Sequence, residues 1–499
     1  MRLGFTVKEA GYRVRRVLPL VWSLSLLPLL SGCILGSEMP ELAIAIPGKF
    51  TNAGPRPHAA LPTVAWWRGF HSSELNGLVD EAREANFDIA VAMARVVQAD
   101  AESRVAGAPL LPSVSASGSG TRSRSSQSGG GTGGNGVSSA GGGGRSERDL
   151  YRTSLTASYE LDFWGKNRAA LRAAEETASA ARFDREVVEL TTIASVANAY
   201  FQVLSSTDRL RVGRENLTSA ERILKLIRQR LSVGTTSGLE VAQQESLVAQ
   251  QKAALPLLQQ TLRQNIIALA VLLGRTPESF HIRSGSMNAV SIPRVTPGLP
   301  SDVLTQRPDI REAEANLASA NANVEAARAA FYPSIKLTGD GGYSSTALKV
   351  LFRPESAFFD IAAGFTQPIF DGGILQGQLD LQRGRQEELV QTYRKTIVSS
   401  FGDVENALVA IRETALREKL QRDVVSSSRR AFDISEQRLN EGTLDLVTLL
   451  NTEQTLFQAQ DTLAQARLAH LLAVVSLYQA LGGGWAAPPP KRFVVKDVQ

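Results

Sequence analysis

The sequence predicts a mixed α/β membrane protein made of two internal repeats, in which long helices accompany a four-stranded share of a transmembrane β-barrel. Three observations carry this. The chain matches itself at a fixed offset; two pairs of short stretches alternate apolar and polar residues; and two helical stretches, 167–231 and 377–439, run without a proline.

The offset comes first, because fixed-period self-similarity sets the architecture before any local reading. Gly165 overlies Gly373, 208 positions on. At the same shift Val196-Ala197-Asn198-Ala199 meets Val404-Glu405-Asn406-Ala407, Arg230-Leu231-Ser232-Val233-Gly234-Thr235 meets Arg438-Leu439-Asn440-Glu441-Gly442-Thr443, and Leu273-Gly274 meets Leu481-Gly482. Both copies are helical in pattern.

The N-terminus reads as an export signal. Residues 1–32 place Arg2, Lys8, Arg13, Arg15 and Arg16 before an apolar run from Val17 to Leu30, too short for a membrane span. Leu30-Ser31-Gly32-Cys33 resembles a bacterial lipobox, so Cys33 is expected to carry a diacylglycerol and an N-acyl chain as the first mature residue. It is the only cysteine, which excludes an intramolecular disulfide. Without residues 1–32 the formal charge of +5 falls to 49 basic against 48 acidic residues, so nothing points to nucleic acid. Residues 33–72, with Pro40, Pro47, Pro55, Pro57 and Pro62, read as an extended arm ending near Trp66-Trp67 and Phe70.

The first repeat is expected over 73–285. Leu75, Leu78, Val79, Ala82, Ala85, Ile89, Ala92 and Val96 recur at three and four, predicting a helix from Ser73 to about Ala106. A hairpin over about 110–164 follows: Val114, Ala116 and Gly118 alternate with serines, and Leu155, Ala157, Tyr159, Leu161 and Phe163 with polar residues. Between them, Gly129 to Gly144 is nearly all Gly, Ser, Thr and Asn, a tract that buries too little to fold. After a linker at 286–300, the second repeat is expected over 301–485, its hairpin over about 332–371, and a tail over 486–499. There Ile335, Leu337 and Gly339 alternate with Lys336, Thr338 and Asp340, and Phe359, Ile361, Ala363 and Phe365 recur at every second position.

One apolar and one polar face per strand is the pattern of a barrel with lipid outside and water inside. Four strands cannot close such a barrel, and lipid tolerates no open edge, so several copies must assemble. Three would give twelve strands, the simplest even closure, though the pattern alone does not fix three. After each hairpin a long helix, about 100 Å at 1.5 Å per residue, turns at Gly234-Thr235 or Gly442-Thr443, and a shorter helix returns.

Pro297-Gly298-Leu299-Pro300-Ser301-Asp302-Val303-Leu304 with Arg307-Pro308-Asp309-Ile310 resembles the inter-repeat signature of the TolC-type outer membrane efflux family. Phe331-Tyr332-Pro333-Ser334, Pro368-Ile369-Phe370-Asp371-Gly372-Gly373 and Leu477-Tyr478-Gln479-Ala480-Leu481-Gly482-Gly483-Gly484-Trp485 are similar to its other hallmarks, over about 60–485. Gln306, where a basic residue is commoner, departs from the pattern, and the Gly-rich insert is not a family feature. With the lipobox, the resemblance is to the lipoprotein branch that serves resistance-nodulation-division pumps.

That resemblance implies a homotrimer whose twelve-stranded barrel crosses the outer membrane and continues as a long α-helical barrel across the periplasm. It also implies a periplasmic adaptor protein and an inner-membrane pump as partners. The function expected is a passive duct for drugs or other solutes. The alternatives are export of polypeptides or metal ions through the same duct, or a structural lipoprotein without a pore. No catalytic constellation is visible: His58, His71, His281 and His470 lack ligand spacing, and no cofactor is expected beyond the lipid on Cys33.

Acidic residues ring the closed periplasmic entrance in this family, and Asp433 and Glu436, three apart on one helix face, match those positions. At equivalent places in the first repeat stand Lys225 and Arg228, and pairing of these cations with the two carboxylates is expected to hold the entrance closed. Gly234, Thr235, Gly442 and Thr443, in the turns at the same end, are the expected partner-docking residues.

Overall fold

The structure is a computed structural model that describes residues 46–52, 64–124, 147–282, 285–293, 295 and 298–485. The signal segment 1–32, Cys33, most of the arm, the tract Gly129–Gly144 and the tail 486–499 lie outside these residues. The described chain forms two compact units. Of the described residues, one unit comprises those within 103–174 and 320–386, the other those within 46–102, 175–319 and 387–485.

The elements run α1 (Ser73–Ala85), α2 (Phe87–Gly107), β1 (Ser113–Arg124), β2 (Glu147–Leu161), α3 (Lys166–Ser232) and α4 (Gly238–Leu272). The second repeat gives α5 (Pro300–Gln306), α6 (Pro308–Ala329), β3 (Ser334–Ser345), β4 (Ala357–Thr366), α7 (Ile374–Asn440) and α8 (Leu446–Ala480). The duplication is kept to the residue: α3 and α7 are 67 residues each, α4 and α8 are 35 each.

The single helix expected over 73–106 is two. Asn86 breaks it by capping its successor: Oδ1 accepts from the backbone N–H of Asp88 (2.8 Å) and Ile89 (3.1 Å), while Nδ2 donates to Leu272 O (2.7 Å). The second repeat breaks at Arg307, which Pro308 drives into extended backbone. The Arg307 side chain then bonds Asp309 (2.6 Å), Asp403 (3.0 Å) and Ala480 O (3.2 Å). This ties the start of α6 to α7 and α8, and gives the Arg-Pro-Asp run a structural reason.

Gly274 and Gly482 close α4 and α8 in the left-handed conformation (φ 68° and 80°). A Cβ on Gly274 would lie 2.3 Å from Ala85 O, and one on Gly482 would lie 2.3 Å from Gln306 O. Each repeat therefore lays the last carbonyl of its short first helix against the glycine that ends its returning helix. Gly482→Ala meets both the left-handed backbone and this contact. It should cost roughly 2–3 kcal/mol, read as a lowered unfolding midpoint in detergent.

The second unit carries the large apolar cores. In one, Trp66, Trp67 and Phe70 are buried with Phe201, Leu269, Leu273 and Tyr478, and Trp66 stacks on Tyr478 at 4.8 Å. Phe50 enters another with Val404 and Leu481, and next to it Asn52 Nδ2 donates to Glu405 (2.8 Å). The described piece of the arm is thus docked on α7.

Candidate functional site: the strand sheet and the helix turns

In the first unit the strands form one antiparallel sheet in the order β1-β2-β3-β4. The register collects the alternation of every strand onto common faces. Val114, Ala157, Gly339 and Ile361 share a row; so do Ala116, Leu155, Gly341 and Phe359, and so do Leu161, Ile335 and Phe365. Phe359 is 85% exposed and Ile361 is 84% exposed, although both are large and apolar. Eleven residues of β2, from Leu161 to Tyr151, carry this face. At ~3.3 Å per residue and a ~40° tilt they span roughly 25 Å, the height of an apolar membrane band.

Beyond Tyr151 the same face turns charged: Arg122 pairs with Glu147 (2.6 Å) and Asp149 (3.7 Å), and Arg124 with Glu147 (3.7 Å). The opposite face is mostly polar, with Leu150, Phe358 and Ala362 as its apolar exceptions. Arg152 pairs with Asp340, which also accepts from Thr156 Oγ1 (3.1 Å), and the Arg152 guanidinium lies 4.3 Å from the Phe358 ring centre. Asp360 stands beside Asp340 in the next strand. The outer edges of β1 and β4 pair with no strand of the sheet.

In the second unit the helix turns are two copies of one device. Gly234 (φ 79°) and Gly442 (φ 72°) end α3 and α7. Thr235 N bonds Arg230 O (3.0 Å) and Gly234 N bonds Leu231 O (3.0 Å); Thr443 N bonds Arg438 O (2.9 Å) and Gly442 N bonds Leu439 O (3.0 Å). Both are Schellman caps, with each threonine hydroxyl adding a bond to the same arginine carbonyl. Ser237 then caps α4 in a capping box with Glu240, and Asp445 caps α8 through Thr448. The Thr448 N–H, then its hydroxyl, hold the Asp445 carboxylate below its ordinary range. The glycine and threonine of each turn are thus accounted for as helix stops.

The expected charge pairing takes a different form. Glu436 pairs with Arg222, not with Lys225 or Arg228. Arg228 pairs with Glu245 of α4 (2.7 Å), while Lys225 and Asp433 are exposed and form no ion pair among the described residues. Repeat equivalence identifies matching places along the chain, not the sides on which two helices meet. Arg228 lies about a third of a turn round α3 from Arg222, and faces α4 with Lys225, Glu221 and Lys252 across an open groove of about 700 Å³. Arg222 turns toward α7, as does Arg230, which donates to Leu439 O.

Two further residues escaped the sequence reading. Gln244 of α4 and Glu453 of α8 are fully buried in the apolar cluster that Ile223, Ile227, Val248, Phe432, Leu449 and Leu456 form at this end. The signal was present: Glu453 falls four after Leu449 and three before Leu456, on the apolar stripe. Among the described residues no group of three or more His, Cys, Asp or Glu is placed to hold a metal ion.

A sheet with one lipid-compatible face and one water-compatible face, carried by a chain of duplicated long helices, defines a component of a membrane-spanning channel. The chain belongs to the outer membrane efflux protein family, whose profile matches residues 78–275 and 299–483. It is similar to the pyoverdine export outer membrane protein OpmQ of Pseudomonas aeruginosa, at 39% identity over 469 residues, 93% of this chain and 98% of that one. It is also similar to the toluene efflux pump outer membrane protein TtgC of Pseudomonas putida, at 33% over 463 residues, 92% and 94% of the two chains. Among solved structures it resembles the Campylobacter jejuni CmeC outer membrane channel, with a TM-score of 0.83 at 25% identity, covering 92% of this chain and 96% of that one. It is an outer membrane efflux channel protein.

Proposed function

We propose that three copies close a twelve-stranded barrel, β4 of each pairing with β1 of the next, and that the polar sheet face lines the duct. The observation that carries this is the four-stranded sheet with an apolar outer face and two unpaired outer edges. Lipid tolerates neither an open edge nor an unsatisfied backbone. The protein is a passive conduit without catalytic chemistry. A periplasmic adaptor and an inner-membrane pump of the resistance-nodulation-division class engage the end that carries Gly234, Thr235, Gly442 and Thr443. Cys33 carries the lipid anchor. The identity to a pyoverdine exporter exceeds that to a toluene exporter (39% against 33%), which favours a secreted siderophore-like solute as cargo.

Asp433 and Glu436 from three copies place six carboxylates round the entrance, a field that favours cations. Arg222, rather than Lys225 or Arg228, restrains Glu436. Arg222 is well exposed, so the pair is worth at most about 1 kcal/mol, or about fivefold in the open fraction per link. Single-channel recording of the purified protein in a planar bilayer tests the reading. Small, cation-selective openings are expected, and they should become more frequent in Arg222→Ala and in the double variant Asp433→Ala/Glu436→Ala. Unchanged conductance and unchanged antibiotic entry into cells would remove the gating role.

A further inference from the structure

Glu453 and Gln244 meet where α3, α4, α7 and α8 converge, and their hydrogen bonding is left incomplete. Gln244 Nε2 donates to Ala220 O (3.0 Å) and, at 3.4 Å, to Glu453 Oε2. Gln244 Oε1 and Glu453 Oε1 are both buried without any partner. Two orphan acceptors on one contacting pair lack a donor, and a buried acceptor without one is costly. A proton on the carboxyl supplies that donor.

The charged and polar groups around the carboxyl come from each packed helix: Arg222 and Ser219 from α3, Gln244 from α4 and Glu436 from α7. Arg222 lies close enough to feel both Glu436, its partner, and Glu453. We propose that Glu453 and Gln244 form a proton-operated latch: protonated, Glu453 donates to Gln244 and clamps the four helices, and ionised, it draws Arg222 from Glu436 and loosens this end. The inference rests on the gate reading above for its consequence, but not for its chemistry. Burial raises the Glu453 pKa from 4.5 to about 7, with Glu436 adding to the rise and Gln244, Arg222 and Ser219 opposing it.

A carboxyl whose pKa is higher folded than unfolded stabilises most at low pH. Its contribution is full below about 4.5, falls as pH rises toward 7, and is gone above that. The latch is therefore tight in acid and released near neutrality, within the range that an exported compartment experiences.

Hydrogen–deuterium exchange of the full-length protein in detergent, followed on peptides covering 430–456 and corrected for intrinsic rates, tests this. Between pH 5 and pH 8 the opening of this segment should rise roughly fiftyfold in the wild type. It should stay flat in Glu453→Gln, which keeps the shape and removes the titration. Should that variant not fold, Glu453→Met serves the same purpose, while Glu312→Gln, in α6, should keep the wild-type slope. A flat wild-type profile, or an equal slope in the Glu453 variants, overturns the latch. A pH-dependent segment with pH-independent conductance would keep the latch and sink the gate reading instead.

Discussion

Glu418→Ala is expected to destabilise the helical unit by roughly 3–5 kcal/mol, a large share of what a domain has to lose. The side chain is 4% exposed, with two arginines and a histidine against it. Its two oxygens take Arg467 Nη1 (2.9 Å), the Arg422 guanidinium and His470 Nδ1 (2.7 Å). Arg467 in turn donates to Met287 O (2.9 Å) and Val290 O (3.3 Å), so the carboxylate holds the side chain that pins the inter-repeat segment. Alanine leaves Arg467, 15% exposed, without its counter-charge, and that is the expensive step. Arg422→Ala, by contrast, removes a partner that is 57% exposed and should cost less than about 1 kcal/mol.

Burial alone would raise the Glu418 pKa, but the His470 bond with the charges of Arg422 and Arg467 outweighs it and holds the carboxylate below its ordinary 4.5. A depressed pKa stabilises above the unfolded value and loses that contribution as pH falls through the folded one. The gap between wild type and Glu418→Ala in urea unfolding should therefore be widest near neutrality and close below about 4.5. A gap that is small, or that grows in acid, would show that the cluster is not an ion network.

Most of the fold is legible because it repeats a simple physical code. The shift from Gly165 to Gly373 carries equal helices, equal Schellman caps and equal left-handed glycines, because each is a backbone requirement that only certain residues meet. The sheet faces follow from a period of two, which register preserves. What was not legible depends on rotation about helix axes. Asn86 continues the apolar period on both sides, so its capping role shows only once its amide finds the Leu272 carbonyl. Arg222 and Arg228 are both cations near one turn, and only packing assigns one to Glu436 and the other to Glu245. Glu453 reads as one more polar residue in a Gln-rich helix, until the stripe through Leu449 and Leu456 is followed round.

Ile361→Arg should cost about 2–4 kcal/mol per subunit, the toll of a cation near the middle of the bilayer on the lipid side of a barrel. The position follows from the rows. Ile361 sits with Val114, Ala157 and Gly339, two rows from the Leu161–Ile335–Phe365 end and three from the row of Tyr151 and Gly120. Ala362, the next residue, points to the polar face beside Thr338, and Ala362→Arg should stay within about 0.5 kcal/mol. Ala357 shares the row of Gly118, Thr153 and Tyr343, two steps from Arg122 and Asp149. The chain already places charge at that nearby depth, so Ala357→Arg should cost only about 0–1 kcal/mol. The yield of heat-resistant oligomer in outer membranes, together with urea unfolding in detergent, measures all three. A face covered by protein would penalise Ile361→Arg and Ala357→Arg according to local packing, with no dependence on depth. Lipid penalises by depth alone, so the ordering Ile361, then Ala357, then Ala362 separates a barrel wall from a soluble sheet, and equal costs at the first two positions would contradict the barrel.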